Sequence, residues 1–133
     1  NILILTSRRT NDQIKKILYK KLNKIAYVWQ ENEINPYTFA LKYSKFFIVT
    51  SDSTSMISEC AFTGKPIYVF HLPFKRESKR MYKFHQEFEE KKITKKLDNQ
   101  NNLVPWTYDS LNESKRIASI LKERIIKEIN ESR

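Results

Sequence analysis

The chain has 133 residues, of which 40% are hydrophobic and 13% are aromatic. This length suits one domain with one core, and the apolar content excludes a wholly disordered chain. No apolar run reaches the roughly 18 residues that a membrane-spanning helix requires. A single cysteine, Cys60, excludes an internal disulfide and is typical of a reducing, cytoplasmic compartment. Two histidines and no paired cysteines argue against a structural metal.

The formal net charge is +10, from 25 Lys and Arg against 15 Asp and Glu. One interpretation is a polyanionic partner such as nucleic acid, anionic lipid or a phosphorylated ligand. The other is compositional, because most lysines stand at solvent-facing positions of helical segments. The aromatic residues fall at core spacing, which argues against a nucleic-acid interface. The last helix carries charges of both signs, so peripheral contact with a membrane surface stays an open alternative.

Short apolar runs alternate with segments of helical periodicity along the first half of the chain. The runs predict strands at 2–5, 25–29, 46–50 and 67–70. The continuous apolar runs at 2–5 and 46–50 are typical of strands buried on both faces. Helices are predicted between them, the first capped by Thr10 or Asn11, and the third ending at Gly64, the only glycine, in a left-handed C-cap.

The pattern changes after residue 70. It predicts a loop at 72–74, a basic helix at 77–91, a short fifth strand at 93–97, a turn-rich segment at 98–108 and a final helix at 111–129. Alternation of strand and helix predicts an α/β, Rossmann-like parallel sheet with right-handed crossovers and helices on both faces. Because the chain starts abruptly on a strand at Asn1, we expect it to be part of a larger protein.

Two loops follow predicted strands at the edge of the sheet where ligands bind in such folds. The first, called here the arginine loop, is residues 6–10 and contains Ser7, Arg8 and Arg9. The second, called the hydroxyl loop, is residues 50–55 and opens a helix with Ser51, Ser53, Thr54 and Ser55. Guanidinium groups, hydroxyls and helix-start amides all bind phosphate. The alternatives are a solvated loop for the first, and for the second a helix cap through Ser55–Ser58 or Asp52–Ser55.

Four more side chains are candidates near the same edge. Glu59 stands one turn after Ser55, where its carboxylate is a candidate acceptor for ribose hydroxyls or an ordinary surface group. Lys79, Lys83 and His85 follow the fourth strand, and a lone helical histidine is more often a packed residue than a catalytic one. No nucleophile elbow, dinucleotide fingerprint or Walker sequence is present, because each requires glycines that the chain lacks.

The segment from Thr50 to Pro66 resembles the signature segment of the mitochondrial fission protein family of plants and its bacterial homologues. Other parts fit in order: Thr6-Ser7-Arg8-Arg9-Thr10, Val28-Trp29, Asn35-Pro36-Tyr37, Lys83-Phe84-His85, Trp106, Tyr108, Leu111 and Asn112. That family is similar to the carboxyl-terminal, nucleotide-binding half of GT-B glycosyltransferases. The resemblance implies that residues 1–133 form one Rossmann-like domain, the donor-binding half of a larger GT-B-like protein.

The resemblance also implies a function. Ser53, Thr54 and Ser55 would hold the phosphates of a sugar nucleotide, Glu59 the ribose, and the segment from Lys79 to His85 the sugar. The sugar nucleotide would be a substrate, and no cofactor or metal is implied. The glycine-rich loop of those transferases is replaced by Ser7-Arg8-Arg9, which favours arginine as a phosphate contact.

The resemblance implies that acceptor binding and the general base lie in an amino-terminal half of the same protein. The isolated chain is therefore expected to bind and not turn over, in the cytoplasm or at the inner face of the membrane. The alternative is a non-catalytic adaptor with a degenerate nucleotide-binding fold that recruits a protein partner.

Overall fold

The computed structural model of the protein describes residues 1–73, 78–99 and 102–131. The chain divides into two compact units, residues 1–44 and residues 45–133.

 Three predictions therefore fall partly outside the described residues: the loop at Phe74, the basic helix at Glu77, and the turn-rich segment at residues 100–101.

The first unit contains two short parallel strands and two helices. Its elements are β1 (Leu3–Ile4), α1 (Asp12–Leu22), β2 (Tyr27–Val28) and α2 (Tyr37–Tyr43). Leu3 pairs with Tyr27 and Ile4 with Val28, in parallel. Of the two predicted caps, Asn11 is the one used, since its Oδ1 accepts from the amide of Gln13 at 2.7 Å.

Both strands of the first unit are shorter and more exposed than the sequence predicts. The predicted runs 2–5 and 25–29 are paired over two residues each. The side chain of Ile2 is exposed, so the prediction that the run 2–5 is buried on both faces is wrong. Ile25 and Tyr27 of the second run are exposed as well. The expectation that aromatic residues lie in the core also fails on α2, where Phe39 and Tyr43 are exposed with ring centroids 4.6 Å apart.

The second unit contains β3 (Phe47–Thr50), α3 (Thr54–Ala61), β4 (Ile67–Phe70), α4 (Lys79–Glu90), β5 (Thr94–Lys96) and α5 (Glu113–Glu131). Its three strands form a parallel sheet in the order β3-β4-β5. Phe47 of β3 pairs with Ile67 of β4, which pairs in turn with Thr94 of β5. Helix α3 packs on β3 and β4, and α4 packs on β5.

The core of the second unit is centred on β4. Ile67, Tyr68 and Val69 are almost wholly buried, and Ile57 and Cys60 of α3 are buried with them. The outer strand β3 instead alternates between buried and exposed side chains, with Ile48 exposed. The prediction of burial on both faces is therefore wrong for β3, because an outer strand covered on one side buries every second residue.

The strands observed are all paired in parallel and joined through helices, which confirms an α/β, Rossmann-like fold. They form two small sheets, one in each unit, where the sequence predicts a single one. Gly64 has φ +71°, which confirms the left-handed turn after α3. Within the described residues, no helix combines the length and the apolar content needed to cross a membrane.

Candidate functional site

The hydroxyl loop leaves the carboxyl end of β3 and is fastened to the chain that follows β4. The amide of Ser51 donates to the carbonyl of Phe70 at 3.0 Å, which extends the pairing of the two strands by one step. The Ser51 hydroxyl accepts from the amide of Leu72 at 3.1 Å, and the residue is fully buried. Ser51 therefore positions the loop, and its hydroxyl is already engaged by the protein.

A buried histidine lies beneath the loop. The Nε2 of His85 is 2.8 Å from the carbonyl oxygen of Ser51, and His85 is 5% exposed. Because a carbonyl oxygen only accepts, Nε2 carries the proton and donates. The ring also contacts Phe84 and His71, with centroid distances of 5.3 and 5.1 Å. The structure thus places His85, predicted on the sugar side, where it braces the backbone of the hydroxyl loop.

Helix α3 begins at this loop without a side-chain cap. Ser53 occupies the N-cap position, is 6% exposed and makes no capping hydrogen bond through its side chain. The sequence allows caps through Ser55–Ser58 or Asp52–Ser55, and both alternatives are wrong, because Ser53 is the N-cap residue. The Ser58 hydroxyl donates instead to the carbonyl of Thr54 at 3.0 Å. Among the described residues, Asp52 keeps a buried Oδ1 with no hydrogen-bond partner.

The other predicted residues of the second unit lie on helices α3 and α4. Thr54 is half-buried, whereas Ser55 and Glu59 are exposed four residues apart on α3. Lys79 and Lys83 are exposed on α4. The Nζ of Lys83 lies 3.7 Å from Glu87, an exposed pair one turn along the helix. Residues spaced by four share a helix face, so Ser55 and Glu59 present hydroxyl and carboxylate on one side.

The arginine loop lies in the first unit, after β1. Ser7 closes a tight turn, because its amide donates to Thr10 Oγ1 at 3.1 Å and its carbonyl accepts from the Thr10 amide at 2.9 Å. The Ser7 hydroxyl accepts from the amide of Arg9 at 3.2 Å. Arg8 and Arg9 are exposed at the tip of the turn. Ser7 is thus a structural residue of the loop, and the arginines supply its charge.

Sequence reasoning missed a cleft of about 320 Å³ beside this loop, at the carboxyl ends of β1 and β2. Its wall includes Lys15, whose Nζ lies 3.1 Å from Asp12 and 2.7 Å from Glu31. The hydrogen bond to Glu31, followed by the one to Asp12, raises the pKa of Lys15. Asp12 and Lys15 share a helix face, but Glu31 comes from another segment, so nothing in the sequence indicated the triad.

A further contact that was not among the predicted site residues joins His71 and Glu89, beside His85. His71 directly follows β4, and its Nε2 is 3.5 Å from Glu89 of α4. Its position at a strand end was the available signal. In the ranges that the structure describes, no three His, Cys, Asp or Glu side chains are grouped so that they could hold a metal ion.

Comparison with known proteins identifies relatives along nearly the whole chain. The model of the family described as "Mitochondrial fission ELM1" matches residues 1–125. The chain is 28% identical over 131 residues to the mitochondrial fission protein ELM1 of Arabidopsis thaliana, covering 94% of the chain and 30% of that protein. It is 32% identical over 121 residues to an uncharacterized protein of Rickettsia prowazekii, covering 87% of the chain and 34% of that protein.

The chain therefore spans about a third of the length of the curated relatives it matches. No solved structure matches it significantly.

Proposed function

The chain belongs to the mitochondrial fission ELM1 family, and from this premise we propose that it binds a nucleotide or sugar nucleotide at the hydroxyl loop. The observation that carries the proposal is the start of α3. It stands at the carboxyl end of a parallel strand, with a serine N-cap that makes no capping bond. Ligand anions bind at this edge of open α/β sheets, at helix N-termini.

The phosphates would bind to the first turn of α3. The amides of Thr54, Ser55 and Met56 have no carbonyl four residues earlier within the helix to which they could donate. They carry the partial positive charge of the amino end of the helix. The hydroxyls of Ser53 and Ser55 add donors beside them. His85 and Leu72 already hold the Ser51 backbone and side chain, so the loop is fixed before a ligand arrives. A preformed loop loses less conformational entropy on binding.

Glu59 would hold the ribose. It shares a face of α3 with Ser55 and is exposed, so a nucleoside seated against this face would reach it. A carboxylate accepts from two vicinal hydroxyls, as acidic residues do in related dinucleotide sites. Lys79 and Lys83, both exposed on α4, would contact the sugar or its phosphate.

In this proposal the chain is the donor-binding domain of a GT-B-like glycosyltransferase homologue. The acceptor site and general base would come from an amino-terminal half of the same protein, so the isolated chain binds its ligand and does not turn it over. The protein would work in the cytoplasm or at the inner face of the membrane.

A thermal-shift screen against UDP, GDP, CMP, ADP and their sugar conjugates tests the proposal. A nucleotide present at 100 times its dissociation constant stabilises the protein by about 2.7 kcal/mol. Replacing Ser53 and Ser55 together with alanine should weaken the binding at least tenfold, since each lost donor costs about 1 kcal/mol. The matched control is Ser58→Ala with Ser119→Ala, two exposed serines that each donate to a helix carbonyl four residues earlier. Unchanged affinity in the Ser53 and Ser55 variant would refute the site.

A second candidate function is the non-catalytic adaptor. The observation that favours it is α5, where the chain carries Ile117, Leu121, Ile125 and Ile129 at helical spacing, each about half exposed. An apolar stripe of this kind is typical of a protein-binding helix. The absence of a thermal shift with every nucleotide in the screen would favour the adaptor over the nucleotide-binding domain.

A further inference from the structure

A second cleft lies at the opposite edge of the three-stranded sheet. Its volume is about 770 Å³, and we call it the basic cleft; it is lined by Lys91, Lys92, Ile93, residues 107–112 and Arg116. Ile93 directly precedes β5, and the hydroxyl of Tyr108 donates at 2.7 Å to the carbonyl of Lys65, which precedes β4. The cleft is therefore at the amino ends of the strands, whereas the hydroxyl loop is at their carboxyl ends.

The described charged side chains of this cleft are mainly cationic. Its lining includes Lys91, Lys92 and Arg116, against one acidic residue, Asp109. Helix α5 begins at its rim, where Asn112 Oδ1 accepts from the amide of Lys115 at 3.0 Å. The amino end of a 19-residue helix adds partial positive charge to that of the side chains.

One wall of the cleft is held by its own backbone. The amides of Lys91, Lys92 and Ile93 donate to carbonyls at the end of α4, at 2.9 to 3.1 Å, and the Lys92 carbonyl accepts from Trp106 Nε1 at 2.9 Å. Lys92 has φ +56°, a conformation that favours glycine or asparagine. These hydrogen bonds on both sides of the residue fix the Lys92 backbone at this wall of the cleft.

The opposite wall is fastened to the core as well. The amide of Leu111 donates to the carbonyl of Ala61 at 3.3 Å, and Tyr108 is held at Lys65. Burial is the main cause that raises the pKa of Tyr108 to about 12, so its hydroxyl stays a neutral donor at physiological pH. Both walls are thus fixed in place, and the volume lies within the range of small-molecule sites.

We propose that the basic cleft binds the phosphate groups of a phosphorylated ligand. Lysine and arginine side chains beside a helix amino end form the charge pattern that phosphates prefer. The site is separate from the hydroxyl loop and does not depend on the proposed function. Two sources share the chemistry, a soluble phosphate compound and the headgroup of a phosphoinositide lipid.

Tripolyphosphate is the probe for the soluble source. Trp106 reports on the cleft through its bond to Lys92, in a Trp29→Phe background that removes the other tryptophan. The triple variant Lys91→Gln, Lys92→Gln, Arg116→Gln should bind tripolyphosphate at least tenfold more weakly. The control Lys20→Gln, Lys21→Gln, Lys24→Gln removes the same charge from exposed positions of the first unit and should change the affinity less than twofold.

The lipid source is tested by sedimentation with vesicles of phosphatidylcholine containing phosphatidylinositol bisphosphate. The site is supported if the protein binds either probe and the cleft variant loses that binding. The probe that binds then identifies the source. Equal losses in the cleft and control variants, or no binding to either probe, would overturn it. Should the triple variant fail to fold by circular dichroism, Arg116→Gln alone should weaken binding about threefold or more, and an unchanged affinity would overturn the site.

In the variant with Ser53 and Ser55 replaced by alanine, tripolyphosphate should still bind the cleft. Loss of binding in that variant instead of the cleft variant would move the phosphate site to the hydroxyl loop and overturn the present proposal. If the variant with Ser53 and Ser55 replaced by alanine loses nucleotide binding but still binds tripolyphosphate, the two sites are separate.

Discussion

The hydrogen bond from His85 to the Ser51 carbonyl can be removed with a side chain of similar size. In His85→Leu the apolar contacts are largely kept, but the carbonyl of a fully buried residue loses its donor. Water cannot easily replace it at this depth, so the free energy of unfolding should fall by about 1–3 kcal/mol. The matched control is Gln86→Leu, which removes an exposed bond to Glu90 on the same helix and should cost less than about 0.5 kcal/mol.

Urea denaturation at pH 7, followed through Trp106 in the Trp29→Phe background, measures both variants. A His85→Leu protein as stable as the Gln86→Leu protein would refute the bracing role of the histidine. Nucleotide affinity gives a second readout, because a loop that must be ordered on binding loses part of its affinity. We expect a decrease of about threefold to tenfold for His85→Leu, and no change for the control.

Three further predictions concern other residues. Gly64→Ala should lower the free energy of unfolding, measured by denaturation, by about 1 kcal/mol. The cost comes from the φ of +71°, since an added Cβ would be in ordinary contact with Ser110 at 3.7 Å, and Gly64→Asn should cost less. Burial raises the pKa of the Cys60 thiol to about 12 in the folded protein, so the unfolded chain releases the thiol proton at a lower pH than the folded protein does. The free energy of unfolding should therefore fall from pH 8 to pH 11, and Cys60→Ala should make this fall less steep. Glu59→Gln should weaken nucleotide binding by one to two orders of magnitude and leave the melting temperature unchanged; a variant that instead melts lower at full affinity would make Glu59 structural.

The fold class and the strand positions were predictable from sequence because they depend on local patterns. β4 has the predicted bounds, and the left-handed turn at Gly64 follows from the one glycine of the chain. The burial of β3 was not predictable, since an apolar run does not state whether its strand is central or outer in the sheet. The division of the strands into two sheets depends on pairing between distant segments, which a local pattern does not encode.

Parts of the candidate site were predictable for the same reason. A run of small polar residues after a strand indicates the start of α3, but it does not say which hydroxyls the protein itself uses. The Ser51 hydroxyl accepts a hydrogen bond from the amide of Leu72. His85 donates one to the Ser51 carbonyl across 34 residues of sequence. The basic cleft joins Lys92 to residues 107–112 and to Arg116, and that contact also depends on tertiary packing.

The central position of β4 has a consequence for synthesis of the chain. Its two hydrogen-bonding edges are completed by β3, made before it, and by β5, at residues 94–96. Until residue 96 has left the ribosome, one edge of β4, whose first three residues are buried in the folded chain, has no partner. Open edges of this kind recruit other strands. A nascent chain interrupted within α4 should therefore aggregate, whereas one that extends past β5 has closed the sheet.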